Sequence, residues 1–168
     1  MQERQDMKAD GSGADGLSGG RKPGCPACAR IEKIRAGTDP HFVCELRESL
    51  LVVHKHQRYE GWCTLWLKDH HEHLGLLERA RQVRLSEDVI DVAGAMHRVF
   101  GGIRINYENL GNVVSHVHWH LIPRRASDPN PGATVWVRPE AETDCGVSAE
   151  KLAELVAAMG RAMRGIAG

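Results

Sequence analysis

Residues 116–123 read His-Val-His-Trp-His-Leu-Ile-Pro, and this run decides how the chain is interpreted. His116, His118 and His120 alternate with apolar residues, and a period of two is the period of a β-strand. The three imidazoles therefore share one face of the strand, while the other face is apolar. Side chains that follow each other on one face lie roughly 6.5 Å apart, so three imidazoles can contact one bound group. The pattern predicts a strand with a core side and a chemically active side.

The chemistry of imidazole points to phosphate as the bound group. A neutral imidazole is a nitrogen nucleophile near pH 7, and neighbouring imidazoles can donate hydrogen bonds to phosphate oxygens or to a leaving group. Two other interpretations of the run stay open: a metal site of the His-x-His type, and a strand that merely tolerates histidine.

Further motifs accompany the histidine run. They are Asn106, Gly111 and Asn112 upstream, Pro123, Arg124 and Arg125 downstream, and two segments nearer the N-terminus, Cys25-Pro-Ala-Cys28 and Gly61-Trp-Cys-Thr-Leu-Trp-Leu-Lys-Asp-His70. Together they resemble the histidine triad (HIT) family of nucleotide hydrolases and transferases, whose signature is His-φ-His-φ-His-φ-φ with φ apolar. The resemblance covers roughly residues 24–125.

The resemblance implies catalytic roles for His118 and His120. His118, the middle histidine, is expected to attack the α-phosphorus of a nucleotide and to form a covalent nucleotidyl-histidine that is then hydrolysed. Such an intermediate divides one difficult displacement into two easier ones. His120 is expected to donate a hydrogen bond to the phosphate or to the leaving group.

The resemblance also implies a set of nucleotide contacts. Glycine lets the backbone approach a ligand closely, and successive backbone amides form a nest for anions. Arginine matches phosphate oxygens in bidentate fashion. His54 stands where many family members have an Asp or Asn that holds the ribose hydroxyls, and Val113 stands where one branch often has a hydroxyl. The expected nucleotide-binding residues are His54, Asn106, Gly111, Asn112, Val113 and Arg124.

Cys25 and Cys28 have the spacing of a zinc knuckle, which supplies two of the four ligands that structural zinc requires. A redox Cys-x-x-Cys pair is the other interpretation, but no thioredoxin-like βαβ pattern surrounds it. The resemblance implies that His70 and His116 complete a Cys2His2 structural zinc site. His71 and His73 lie beside His70, so the spacing alone leaves the third ligand open.

Composition limits the protein's class. The chain has 168 residues, enough for one domain, and its 22 basic and 22 acidic residues provide no overall field that would attract nucleic acid. No apolar stretch approaches the roughly 20 residues that span a bilayer, and no secretory signal begins the chain. The chain has five cysteines, an odd number at irregular spacing, which argues against a disulfide framework. We therefore expect a cytoplasmic protein without a membrane or nucleic-acid partner.

The order of elements predicts an α+β fold with a five-stranded antiparallel sheet, a long helix and a C-terminal helix, and the resemblance implies that this fold is HIT-like. Residues 1–22 are expected to be a disordered tail, either a functional leader or an expression remnant, and residues 23–168 the HIT-like domain. The predicted strands are 42–46, 49–54, 61–67, 103–107 and 117–122, and a short helical or irregular piece at 28–35 precedes them. Ser86 is expected to cap the long helix and Gly101 to end it. Residues 124–139 are expected to form a surface loop, and Ser148 is expected to begin the last helix.

The hypothesis drawn from these observations is a homodimeric nucleotide hydrolase, the dimer being implied by the resemblance alone. Diadenosine polyphosphates are the favoured substrates, with nucleoside phosphoramidates and nucleotide sugars as the other classes. Two alternatives stay open. One is a nucleotide-binding regulatory or interaction module without turnover, and the other is a metal-dependent enzyme with His116, His118 and His120 as ligands.

Overall fold

The computed structural model describes residues 20–137 and 146–166. Five strands form one sheet: β1 (Phe42–Glu45), β2 (Ser49–Val53), β3 (Cys63–Leu67), β4 (Arg104–Glu108) and β5 (His118–Arg124). The helices are α1 (Pro26–Arg35), α2 (Arg79–Phe100) and α3 (Ala149–Arg164), with 3₁₀ turns at Leu74–Leu76 and Val135–Val137. The strand order is β1-β2-β3-β5-β4, and all neighbouring strands are antiparallel. The predicted α+β, five-stranded antiparallel fold is confirmed.

Some predictions fall on residues that are not described. Most of the predicted tail, the end of the predicted surface loop and Cys145 lie outside the described residues. Of the helices that the structure describes, none combines the length and the apolar character that crossing a bilayer requires.

The alternation in the histidine run has the predicted effect on the two faces of β5. Trp119 and Leu121 point into the main core, where α2 and α3 cover one face of the sheet. The buried members of this core include Leu51, Leu65, Val92, Met96, Leu121 and Met159. His118 and His120 lie opposite Trp66 and Thr64 of β3, and directly paired residues project to the same face. The histidines therefore lie on the face that α2 and α3 leave open.

Helix α1 covers part of that open face. The segment expected to be short or irregular is a helix of 10 residues with a proline in its first turn, a position where proline's missing N–H costs nothing. Its Ile31 and Ile34 pack on Leu50 and Val52 of β2, next to Trp66. This packing brings Cys25 and Cys28, at the start of α1, to the end of the sheet at which the histidine run begins.

The N-cap of the long helix lies eight residues before the predicted one, so the Ser86 cap is wrong. Glu78 is the N-cap residue of α2, and the Ser86 hydroxyl lies within the helix and donates to the Gln82 carbonyl oxygen. A serine that bonds back to the preceding turn satisfies its own hydroxyl and does not end a helix. The earlier start lets Leu85 pack against Leu67 and Val117. The predicted end at Gly101 and the predicted Ser148 cap, which accepts from the Lys151 N–H, are confirmed.

Candidate functional site

His118 lies on the open face of the sheet with its imidazole held in one orientation. Its Nδ1 donates to the His116 carbonyl oxygen at 2.6 Å, and the Trp66 ring stacks on it at 4.6 Å between centroids. Burial lowers the pKa of His118, so the ring is neutral near pH 7. A neutral imidazole carries one N–H, and Nδ1 uses it here. Nε2 of His118 therefore keeps its lone pair.

His120 is the second imidazole of the pair, with its ring centroid 5.0 Å from that of His118. The Trp62 indole N–H lies 3.1 Å from Nδ1 of His120. Burial, and to a smaller extent repulsion from His118, lower the pKa of His120 to about 3. Both imidazoles are thus neutral bases, and each is only 7–8% exposed.

Aromatic rings form a wall beside the pair. The His54 ring stacks on Trp62 at 4.2 Å, and Trp136 meets the edges of both Trp62 and His120. Trp136 is held there because its indole N–H donates to the Glu108 carboxylate. Burial, followed by repulsion from His120 and His56, lowers the pKa of His54 to about 2, so this ring is neutral as well.

Sequence reasoning did not assign Trp62, Trp66 or Glu108 to the site. The pairing of strands brings Trp66 and Glu108 there: Trp66 is opposite His118 on β3, and Glu108 is opposite His120 on β4. A sequence shows the period of each strand but not which strands are neighbours. Trp66 and Glu108 could have been assigned to the site only by assuming the strand order.

The loop between β4 and β5 approaches the pair from one side. Gly111 has a φ of 70°, a left-handed conformation that favours glycine. Val113 is 96% exposed, so its side chain is open to a ligand or a partner. Asn109, which the sequence analysis passed over, donates from Nδ2 to the His118 carbonyl oxygen at 2.6 Å. Asn109 therefore attaches the loop to the backbone of His118.

Arg124 and Asn106 bind each other on neighbouring strands. The buried Arg124 guanidinium donates to Asn106 Oδ1 and to the Ala133 and Asn130 carbonyl oxygens, and it pairs with Asp128. The three hydrogen bonds to Asp128, Asn130 and Ala133 hold the loop that carries Trp136 against the sheet. Arg124 therefore anchors this loop, with four of its five N–H donors engaged within the chain, and the expected contact of Arg124 with the nucleotide stays a prediction.

The second group of polar side chains consists of Cys25, Cys28, His70 and His116. One ligand atom from each residue lies within 4.8 Å of the others, and no further cluster of three or more such side chains occurs among the described residues. His116 Nε2 lies 2.8 Å from the Leu67 carbonyl oxygen and donates to it, so Nδ1 faces the cluster unprotonated. His71 instead contacts Asp69 at 3.1 Å, which separates it from the cluster.

The spacing of these atoms fits a tetrahedral zinc ion. Zinc bonds of about 2.0 Å to nitrogen and 2.3 Å to sulfur give edges of roughly 3.3 Å between two nitrogens and roughly 3.5 Å between nitrogen and sulfur. The two Nδ1 atoms lie 3.3 Å apart, and three of the four sulfur to nitrogen distances are 3.7–3.8 Å. Two thiols with two imidazoles are also a usual structural zinc set. The cluster is therefore compatible with zinc and would connect α1 to the residues before β5.

Comparisons with known proteins agree with this architecture. The model of the HIT domain family matches residues 35–127. A histidine triad protein from Marinobacter aquaeolei VT8 has a similar structure, with 24% identity, a TM-score of 0.67, and coverage of 79% of this chain and 94% of that one. One from Bradyrhizobium japonicum has 23% identity, a TM-score of 0.65, and coverage of 73% and 89%.

A Zn-bound histidine triad family protein from Mycobacterium smegmatis has 16% identity, a TM-score of 0.59, and coverage of 86% of this chain and 96% of that one. A search of curated proteins gave no match. At these identities the structural similarity establishes the fold alone.

Proposed function

The chain belongs to the HIT domain family, whose model matches more than half of its length, and on that premise we propose that it is a nucleotide hydrolase that works through a covalent nucleotidyl-His118. The family consists of nucleotide-binding proteins and nucleotide hydrolases or transferases. The observation that carries the finer proposal is the 2.6 Å hydrogen bond from His118 Nδ1 to the His116 carbonyl oxygen, because it leaves Nε2 free to attack phosphorus.

The first step would form a bond between His118 Nε2 and the α-phosphorus while the bond to the leaving group breaks. The imidazole then carries a positive charge, which its Nδ1–H shares with the His116 carbonyl oxygen. In the second step water attacks the phosphorus, the P–N bond breaks, and a nucleoside monophosphate leaves. The water proton goes to solvent, and His118 returns to its neutral form.

The protonation of His120 bears on the class of leaving group. Because its pKa is about 3, it is neutral near pH 7 and can donate a hydrogen bond but not a full proton. A nucleoside polyphosphate leaves as a stable anion and needs no proton, whereas the amine of a phosphoramidate does. The sugar phosphate of a nucleotide sugar is also a stable anion, so the protonation of His120 disfavours phosphoramidates alone. Of the two remaining classes we propose diadenosine polyphosphates, the class that the resemblance favours, as the preferred substrates.

The proposed nucleotide contacts come from His54, from the loop between β4 and β5, and from Asn106. His54 Nδ1 accepts from the His56 N–H at 3.3 Å, which leaves Nε2 as the donor toward a ligand. The loop with Gly111, Asn112 and Val113 would bind phosphate oxygens with its backbone amides. Asn106 would contact the nucleotide with the part of its amide that Arg124 leaves free.

Zinc bound by Cys25, Cys28, His70 and His116 would act as a cross-link. With four protein ligands it has no open coordination position, so it would stabilise the strand that carries His118 and take no part in the displacement.

Turnover of a substrate panel tests the proposed function. The wild-type protein is incubated with diadenosine tetraphosphate, an adenosine phosphoramidate and a nucleotide sugar, and products and intact protein mass are measured. We expect hydrolysis of the first to be fastest and an adenylyl adduct to accumulate during turnover. Nucleotide binding with neither turnover nor adduct on any substrate would contradict the proposal and favour the binding module.

We also propose a homodimer formed through β4. This strand ends the sheet, and an edge strand offers unpaired backbone groups to a partner. Exposed apolar side chains accompany it, with Tyr107 51%, Leu110 47% and Val113 96% exposed. Light scattering is expected to give twice the chain mass, and Tyr107→Lys is expected to give a monomer. The matched control is Ile90→Lys on α2, which is 67% exposed and should stay dimeric; a monomeric wild type would refute this arrangement.

A further inference from the structure

Trp62 and His120 form a hydrogen bond whose direction can be assigned from chemistry alone. The indole Nε1–H is a donor and never an acceptor. Because it lies 3.1 Å from Nδ1 of His120, that nitrogen must accept and must carry no proton. A neutral imidazole has one N–H, so the proton of His120 is on Nε2.

The donor is held rigidly. Trp62 is 2% exposed and packs against Tyr59, Ile122 and Val135. The His54 ring stacks on one indole face, with 16° between the ring planes. The backbone of Trp62 is also fixed, since its carbonyl oxygen accepts from the N–H of His54 and from the Gln57 side chain. The indole cannot turn away from His120 without disturbing this packing.

We propose that Trp62 is a positioning residue that fixes the tautomer of His120, so that His120 presents an N–H to the substrate while His118 presents a lone pair. The two neighbouring imidazoles then have opposite hydrogen-bonding character, and each receives it from a different neighbour. His118 donates to a backbone carbonyl through Nδ1, and His120 accepts from an indole at the same ring position. The tautomer assignment is independent of the reaction, whereas its effect on turnover rests on the proposed function.

The same face of the sheet supplies a matched control. Trp66 also lies next to an imidazole of the pair, because it stacks on His118. Its indole N–H is buried and has no hydrogen-bond partner among the described residues. Trp66→Phe therefore removes an indole from the site without removing a hydrogen bond to an imidazole.

The direct test is long-range ¹H–¹⁵N correlation NMR of the histidine rings at pH 7, with His120 assigned from the spectrum of His120→Gln. In wild type we expect the Nε2–H tautomer of His120 alone. In Trp62→Phe we expect a mixture of both tautomers, and in Trp66→Phe the wild-type pattern. An Nδ1–H tautomer in wild type, or a pure Nε2–H tautomer in Trp62→Phe, would overturn the proposal.

A Trp62→Phe chain that does not fold would be replaced by one with benzothienylalanine at position 62. This side chain has the shape of indole with sulfur in place of N–H, so it keeps the packing and loses the donor. The expected and the contradicting spectra are the same as for Trp62→Phe.

Kinetics add a second measurement on the same variants. Losing a neutral hydrogen bond that aligns the donor should lower kcat roughly 3- to 10-fold, with a smaller effect on KM. Absence of turnover in wild type would refute the proposed function, while the NMR result would still decide the role of Trp62. A tautomer change with unaltered kcat in an active enzyme would overturn the catalytic part of the inference.

Discussion

Replacing His118 with alanine is expected to lower turnover of the preferred substrate on the order of 10³- to 10⁵-fold and to abolish the adenylyl adduct. The reason is that Nε2 of His118 would supply the lone pair that forms the P–N bond. Without this imidazole, water would have to attack the substrate directly. Initial rates and intact mass measured on the same samples test the expectation.

His97→Ala is the matched control for this substitution. His97 is exposed in the last turn of α2, and α2 lies against the face of the sheet opposite the pair. We expect His97→Ala to keep both the rate and the adduct. Turnover by His118→Ala within about tenfold of wild type would rule out nucleophilic catalysis by this residue.

Replacing Cys28 with serine is expected to remove the bound metal and to destabilise the fold by several kcal/mol, a loss of roughly 10 °C or more in Tm. Cys28 Sγ lies 3.7 Å from Nδ1 of both His70 and His116, so its loss breaks the cluster at the centre. Serine is a poor zinc ligand, because zinc in such sites binds thiolate. Metal content by elemental analysis and thermal unfolding of the same preparation test this result.

Two variants make the metal prediction specific. Cys44 is a half-buried thiol on β1 that is not one of the four residues of the cluster, and burial raises its pKa to about 11, so it is protonated. We expect Cys44→Ala to keep one zinc per chain. His118→Ala should keep it too, because Nδ1 of His118 is engaged with the His116 carbonyl oxygen. Loss of metal in His118→Ala would instead favour the alternative of a metal-dependent enzyme with three histidine ligands.

The positions of the three histidines explain why a substitution at His118 can affect turnover without affecting metal binding. His116 precedes β5, and its ring donates to the Leu67 carbonyl oxygen at the end of β3. His118 and His120 lie within the paired part of the strand, opposite Trp66 and Thr64. Three imidazoles with one period thus lie in two groups of side chains. His116 belongs to the cluster beside α1, and His118 and His120 lie together next to the aromatic rings.

The sequence by itself determined the fold class, the strand that carries the imidazoles and the two cysteines of the cluster, whereas its resemblance to the family suggested His70 and His116, which the structure brings together with them. Period-two alternation depends only on local backbone geometry. It is preserved in β5 because the face with Trp119 and Leu121 packs in the main core with Leu65 and Met96. The start of α2 could not be predicted in the same way. Serine is compatible with both a cap and a helix interior, and the packing of Leu85 decides between them.

Tertiary structure alone decided what surrounds each imidazole. The donor to His120, the ring stacked on His118 and the separation of His71 from the cluster depend on which strands are neighbours and on how buried groups find partners. Such contacts join residues up to 58 positions apart in the chain, as Trp62 and His120 are. Hydrogen-bond direction and tautomer follow from those contacts, because a buried polar atom is satisfied only by the neighbour that the packing brings to it.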